Sequence, residues 1–157
     1  MIDVPEEVTE DQMETWVVDF NSWDVCDQVC LNLFEKTKFA QQKVGEWSMR
    51  EEEFVKRAAY ALIAGLAWHD KKATDDQFIG YFPVIKSGAT DDRNFVKKAV
   101  NWALRNIGKR NSALNAASIQ AAKEIHRSIR RRLAGSLPMP FGSSRAKRYR
   151  HVWRNDE

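Results

Sequence analysis

The chain has few of the residues that build covalent or metal-bound frameworks. Its only two cysteines, Cys26 and Cys30, stand four residues apart in an apolar stretch. No further cysteine and no histidine lies at zinc-finger spacing from them, so we interpret both as small buried hydrophobic residues. We therefore predict no metal site and no cofactor.

Long hydrophobic runs are also missing. No segment approaches the roughly 18 consecutive apolar residues that a membrane-spanning helix requires. The N-terminus is acidic and is unlike a signal peptide. From these two absences we expect an intracellular, cytoplasmic protein with no membrane association.

Positive charge is absent from the beginning of the chain. Residues 1–27 contain nine acidic residues and no lysine or arginine, although the net charge of the whole chain is +3. Residues 28–122 are moderately basic, and residues 123–157 carry ten lysines or arginines against three acidic residues. A basic middle and end favour a polyanionic partner, although such a bias is found in many proteins.

Apolar residues recur with the period of an α-helix, and strand-like alternation is absent. The clearest stripes run over residues 51–67 and 94–107. Ser22 is a candidate N-cap for a helix that continues through Phe34. We predict shorter helices at about 9–19, 38–47, 75–86 and 112–133, with breaks at 21–22, 71–74 and 87–90. The predicted fold class is all-α.

One helix sequence occurs twice. Residues 53–59 (EFVKRAA) align with residues 94–100 (NFVKKAV), and Phe95 follows Phe54 by 41 residues. This period is typical of HEAT and armadillo repeats, in which helical pairs stack to bury a continuous core. We therefore predict a HEAT-like helical-hairpin solenoid, an α-α superhelix, over residues 1–133. The Pro-, Gly- and Arg-rich residues 134–157 are predicted to form a basic, flexible C-terminal tail.

The same repeat predicts a row of positive charges. Equivalent positions in stacked repeats lie side by side, so Lys56 and Arg57 should stand next to Lys97 and Lys98. Such a row could bind DNA phosphates, or it could be an ordinary solvated face.

Three further residues could carry chemistry. Trp23 and Asp27 share one face of the Ser22-capped helix, and Trp102 lies one helical turn after Lys98. Asp27 lies off the apolar stripe of its helix and could face a groove, or it could simply be an acid that the helix dipole favours. Trp102 suits contact with a nucleobase or sugar, but it could equally be an aromatic residue at the edge of the core.

Residues 22–27 (SWDVCD), 52–58 (EEFVKRA) and 94–105 (NFVKKAVNWALR) resemble three successive segments of the AlkD-like DNA alkylation-repair glycosylases. Their order and intervals match, and the resemblance extends from about residue 11 to residue 118. It implies a HEAT-like solenoid that binds double-stranded DNA carrying alkylated bases and removes cationic N3- or N7-alkylated purines. It further implies that Asp27 is catalytic, that Trp23 and Trp102 contact the lesion, and that Arg57, with Lys56, Lys97 and Lys98, binds the DNA backbone.

The resemblance also implies a difference at the N-terminus. Members of this family carry additional helices before the Trp-Asp segment, which begins here at Trp23. We therefore expect an N-terminally short solenoid, which could self-associate through that end. Two alternatives to a glycosylase remain, namely a non-catalytic DNA-binding solenoid and a helical scaffold for protein interactions.

Overall fold

A computed structural model describes residues 4–135 of the chain and shows only helices in that range. The α-helices are α1 (Glu10–Val18), α2 (Trp23–Asn32), α3 (Ala40–Ser48), α4 (Glu53–His69), α5 (Asp75–Gly80), α6 (Phe82–Gly88), α7 (Asn94–Gly108) and α8 (Ser112–Gly135). A short 3₁₀ helix (Phe34–Lys36) lies between α2 and α3. The all-α prediction is confirmed for these residues. None of their helices is both long and apolar enough to cross a membrane.

Two of the predicted helices differ in the structure. The helix predicted over residues 75–86 is divided into α5 and α6 at Tyr81. Pro83 occupies the first turn of α6, where its fixed φ and missing N–H suit the start of a new helix rather than the middle of an old one. The helix that begins after Ser22 ends at Asn32 because Leu33 leaves the helical conformation, and the 3₁₀ turn then carries the buried Phe34 into the core.

Three helices, α2, α4 and α7, lie side by side and run in the same direction. At the beginning of α4 and α7, the rings of Phe54 and Phe95 pack with their centroids 5.5 Å apart. Farther along the same two helices, the Asn106 side chain donates a hydrogen bond of 3.0 Å to the carbonyl oxygen of Ala64. The two copies of the 41-residue repeat therefore lie side by side, and the equivalent residues Phe54 and Phe95 are in contact.

The two cysteines join α2 to α4. The thiol of Cys26 donates to the carbonyl oxygen of Phe54 at 3.6 Å, and that of Cys30 donates to Ala58 at 3.8 Å. Both thiols are free and buried, as the sequence predicted. Weak thiol donors thus satisfy helix carbonyls where two backbones approach closely.

An ion cluster connects α1 to α3. Lys43 is almost completely buried, and its Nζ lies 2.6 to 2.8 Å from the carboxylates of Glu10, Glu14 and Glu46. Glu10 and Glu14, two of the nine acidic residues at the beginning of the chain, therefore bind one buried lysine. We call these four residues the Lys43 cluster.

The chain divides into two compact units, residues 1–126 and residues 127–157. The described part of the second unit is the end of α8, where Arg127, Arg130, Arg131 and Arg132 are exposed. Residues 136–157, which make up nearly all of the predicted tail, lie outside the described residues. The predicted boundary at residue 133 stays a prediction.

Candidate functional site

Asp27 and Arg57 form a two-pronged ion pair between α2 and α4. Arg57 donates from Nε to Oδ1 of Asp27 at 2.9 Å and from Nη2 to Oδ2 at 2.6 Å. Its remaining nitrogen, Nη1, donates to the carbonyl oxygen of Phe95 in α7 at 2.7 Å. One guanidinium therefore fixes the orientation of the carboxylate and ties three parallel helices together.

Both members of this pair are largely shielded from water. Asp27 is 9% exposed and Arg57 is 4% exposed. Burial raises the pKa of Asp27, and the adjacent Arg57 offsets part of that rise. The site thus holds a carboxylate in surroundings that disfavour its charge, with one arginine to compensate.

The two tryptophans lie on different helices. Trp23 is the first residue of α2, one helical turn before Asp27, and about half of its surface is exposed. Trp102 is half-buried on α7, one turn after Lys98. Trp23 is therefore close to Asp27 through their shared helix, whereas Trp102 lies on the separate helix α7, and its predicted contact with the lesion stays a prediction.

The four predicted backbone-binding cations have different surroundings. Arg57 is buried, and its donors bind Asp27 and Phe95. Lys56 is mostly buried, and its Nζ lies 3.5 Å from Oδ2 of Asp91. Lys97 is half-buried, and Lys98 is exposed. The structure thus makes Lys98 the most accessible of the four, and the predicted phosphate contacts stay predictions.

Helical spacing extends this face beyond the ion pair. Residues 57, 61, 64 and 68 follow one face of α4, and residues 98, 102, 105 and 109 follow the equivalent face of α7. Each member of the second set follows its counterpart by 41 residues. We call these two rows together the Arg57 face. Its α4 row is buried at Arg57, Ala61 and Ala64 and exposed only at Trp68. In the other row Lys98, Arg105 and Lys109, the C-cap residue of α7, are exposed.

The sequence did not indicate two contributors to this region. The carbonyl group of Phe95 accepts from Arg57, but a backbone acceptor leaves no trace in a side-chain pattern. Asp91, directly after the predicted break at residues 87–90, pairs with both Arg93 and Lys56, and these cations lower its pKa to about 2 against the effect of burial. The Asp91-Asp92-Arg93 segment just before α7 was the available signal for this cluster.

Searches of curated proteins and of solved structures gave no significant match. A family model described as DNA alkylation repair enzyme matches residues 3–136, which is most of the chain. This match includes α2, α4 and α7 and therefore every residue of the candidate site. The chain belongs to the DNA alkylation repair enzyme family, and this membership supports a role in alkylation repair.

Proposed function

We propose that this protein is a DNA glycosylase that hydrolyses the N-glycosidic bond of cationic N3- or N7-alkylated purines, such as 3-methyladenine and 7-methylguanine. The observation that carries the proposal is the shielded carboxylate of Asp27, which Arg57 holds in one orientation one turn from the exposed indole of Trp23. Membership of the DNA alkylation repair enzyme family supports alkylated DNA as the substrate class.

Asp27 is suited to the electrostatic demand of this reaction. When the C1′–N bond of an alkylated purine breaks, its electron pair neutralises the base, which leaves as a good leaving group. Positive charge then develops on the sugar, and a nearby carboxylate stabilises it. Water adds to C1′ and loses a proton, which Asp27 can accept or pass to solvent.

In this mechanism Arg57 is a positioning residue. Its two donors prevent rotation of the carboxylate, and its positive charge favours the ionised form that the reaction requires. Trp23 and Trp102 would contact the cationic lesion or sugar through their ring faces. Such a contact contributes on the order of 1–2 kcal/mol once water is excluded.

We further interpret the parallel helices as the inner layer of a HEAT-like solenoid whose basic side binds double-stranded DNA. Lys98 is the strongest candidate for a phosphate contact because it is exposed, and Lys97 and Lys56 would add to it. Self-association through the N-terminal end belongs to this proposal, since Val18 and Val25 are about half-exposed there. A molecular mass measured by sedimentation that equals the monomer would contradict that part.

The test is release of methylated base from methylated duplex DNA by Asp27→Asn and by its matched control, Asp24→Asn. Both changes remove one carboxylate charge from α2, but Asp24 is exposed and lies outside the ion pair. We expect Asp27→Asn to slow release by about 10²–10³-fold and Asp24→Asn by less than about twofold. DNA binding by Asp27→Asn should persist, and circular dichroism should establish that both variants are folded.

A non-catalytic DNA-binding role is the second candidate, because Arg57 occupies both oxygens of Asp27 as it would in a purely structural ion pair. In that case the folded wild-type protein binds DNA and releases no base. If release is observed but is equal in the two variants, Asp27 has no part in it. Failure to bind DNA at moderate salt would instead favour the protein-interaction scaffold.

A further inference from the structure

The segment before α7 carries an arginine fork to which the proposed reaction gives no role. Arg93 donates from Nε to Oδ1 of Asp91 at 2.9 Å and from Nη2 to Oδ2 at 2.6 Å. Its remaining nitrogen, Nη1, donates to the carbonyl oxygen of Glu51, directly before the N-cap residue of α4. Lys56 in α4 adds a second link, since its Nζ lies 3.5 Å from Oδ2 of Asp91. Polar contacts thus attach the beginning of α7 to the beginning of α4.

The Arg57 guanidinium depends on the same end of α7. Phe95, two residues after Arg93, supplies the carbonyl oxygen that accepts from Nη1 of Arg57 at 2.7 Å. The other two donors of Arg57 hold the carboxylate of Asp27. Because a guanidinium is planar and rigid, the position of the Phe95 carbonyl constrains how those two donors meet the carboxylate. A shift of the first turn of α7 would therefore rotate the group that orients Asp27.

The preceding repeat contains a fork of the opposite polarity. Arg50 and Glu52 precede Asp91 and Arg93, respectively, by 41 residues. Arg50 donates from Nε and Nη2 to the two carboxylate oxygens of Glu52, at 3.2 and 2.6 Å. Its third contact is with Glu14 in α1, at 3.5 Å. The two forks are therefore alike in form, but the first links the start of α4 to α1, whereas the second links α7 to α4.

We propose that the Asp91–Arg93 fork positions the candidate site: it fixes the first turn of α7, and with it the carbonyl that accepts from Arg57, against the beginning of α4. This inference rests on the proposed function, because it treats the orientation of the Asp27 carboxylate as important for base release. Both fork residues are positioning residues, since they act through Arg57 and not on the damaged base itself. A small displacement suffices, because a misplacement of about 1 Å can slow an orientation-dependent reaction by about 10²-fold.

The first test measures the pKa of Asp27 by NMR titration of isotope-labelled aspartate carboxyl groups. The double substitution Asp91→Asn/Arg93→Gln removes the fork and leaves the net charge unchanged. We expect the pKa of Asp27 to rise by about 0.5 to 1 unit, because a displaced guanidinium stabilises the ionised carboxylate less. The matched control, Arg50→Gln/Glu52→Gln, removes the equivalent fork of the preceding repeat at constant net charge and should leave that pKa unchanged. An unchanged pKa of Asp27 without the Asp91–Arg93 fork would overturn the proposal.

Asp91→Asn alone gives a test based on the sign of the effect. Removing a neighbouring negative charge ordinarily lowers the pKa of a carboxyl group, because it relieves repulsion of the ionised form. If Asp91 acts by holding Arg93, the pKa of Asp27 should instead rise, by as much as in the double variant. A fall or no change would overturn the proposal. If Asp91→Asn impairs folding, as judged by circular dichroism, Arg93→Lys tests the same point, because an ammonium cannot bridge Asp91 and the Glu51 carbonyl as a guanidinium does. No rise in that variant would equally overturn the proposal.

Base release separates this inference from the proposed function. At saturating methylated duplex, the Asp91→Asn/Arg93→Gln variant should release base about tenfold more slowly than the wild type, with an unchanged dissociation constant for DNA. A lower affinity with a normal maximal rate would overturn the inference, because the fork would then be a DNA-binding element. If the double variant raises the pKa of Asp27 but the wild type releases no base, only the glycosylase is overturned. If the wild type releases base and the variant matches its maximal rate, only the present inference is overturned.

Discussion

The Asp27–Arg57 pair and the Lys43 cluster both bury charge, but they differ in which charges lose contact with water. In the Lys43 cluster only the cation is buried, with 2% of its side chain exposed, whereas its carboxylate partners remain 35–44% exposed. In the Asp27–Arg57 pair the acid and the base are both buried, and one acid faces one base. The first arrangement has three acids for one cation, and the second has no surplus.

The effects on pKa differ accordingly. Burial alone would lower the pKa of Lys43, but its three carboxylate partners outweigh burial and raise it well above its usual value. At Asp27, burial raises the pKa and Arg57 only partly offsets it. Ionised Lys43 is therefore well stabilised, whereas ionised Asp27 is held at a net disadvantage. Buried ion pairs often add little stability compared with apolar packing, and the proposed reaction would give the Asp27–Arg57 pair a role that folding stability alone does not.

The largest expected effect comes from replacing each cation by methionine. Arg57→Met leaves Asp27 buried without a partner, and we expect the free energy of unfolding to fall by about 3–5 kcal/mol. Lys43→Met leaves carboxylates that still reach water, so the loss should be about 1–2 kcal/mol. Urea unfolding at neutral pH measures both values.

Base release adds a second contrast between the same two variants. Arg57→Met frees the carboxylate to rotate and favours its protonation, so release should fall strongly, whereas Lys43→Met should release base at close to the wild-type rate. Equal loss of stability in the two variants would show that the two ion clusters are equivalent. If both variants lost base release equally, the Asp27–Arg57 pair would have no specific part in the reaction.

Most of the helices could be predicted because each has a local signal. The 3.6-residue apolar stripes predicted α4 and α7, and the 41-residue repeat predicted that Phe54 and Phe95 would lie side by side. The division at Tyr81 was not predicted because the apolar residues continue across residues 75–86, whereas Pro83 begins a new helix there. Local signals therefore sufficed except where two of them conflicted.

The site was less predictable because its geometry depends on packing between helices. The repeat suggested that Arg57 belongs to an exposed row of cations, yet its partner Asp27 is 30 residues away on α2, and the pairing buries both. Glu35 in the 3₁₀ helix and His69 at the end of α4 form a hydrogen bond, although they are 34 residues apart and share no sequence motif. Gly65, inside an apolar helix, was the local sign that another group approaches closely there.

Acidification should change the two clusters in opposite directions. Burial raises the pKa of Glu14, but hydrogen bonds from Lys43 and Trp47 outweigh it, and the pKa of Glu46 is likewise lowered, mainly by Lys43. The stability that ionised Glu14 and Glu46 give the folded protein is therefore present above the ordinary glutamate pKa of 4.5. It is lost as the pH falls through their lowered pKa values. The pKa of Asp27 is raised, so the cost of its charge is relieved as pH falls through that value.

These signs predict how stability changes between about pH 7 and pH 3. Lys43→Met should lose less stability on acidification than the wild type, by about 1 kcal/mol, because its exposed carboxylates contribute modestly. Asp27→Asn should lose slightly more than the wild type, because it lacks the relief that protonation of Asp27 provides. Urea unfolding at several pH values measures both differences. If the free energy of unfolding fell equally with pH in the wild type and in both variants, the assigned directions of these pKa shifts would be contradicted.

The smallest expected effect compares how an exposed and a buried positive charge contribute to DNA binding. Lys98 is the counterpart of Arg57 in the repeat but is exposed, whereas Lys43 is buried between α1 and α3. Lys98→Gln should lower affinity for unmodified duplex by about two- to fivefold and reduce the log–log salt slope by about 0.9. Lys43→Met removes the same charge and should leave the slope unchanged, because a buried ammonium surrounded by carboxylates releases no counterion from DNA. If both variants reduce the slope equally, net charge alone governs binding, and the Arg57 face has no particular role in holding the duplex.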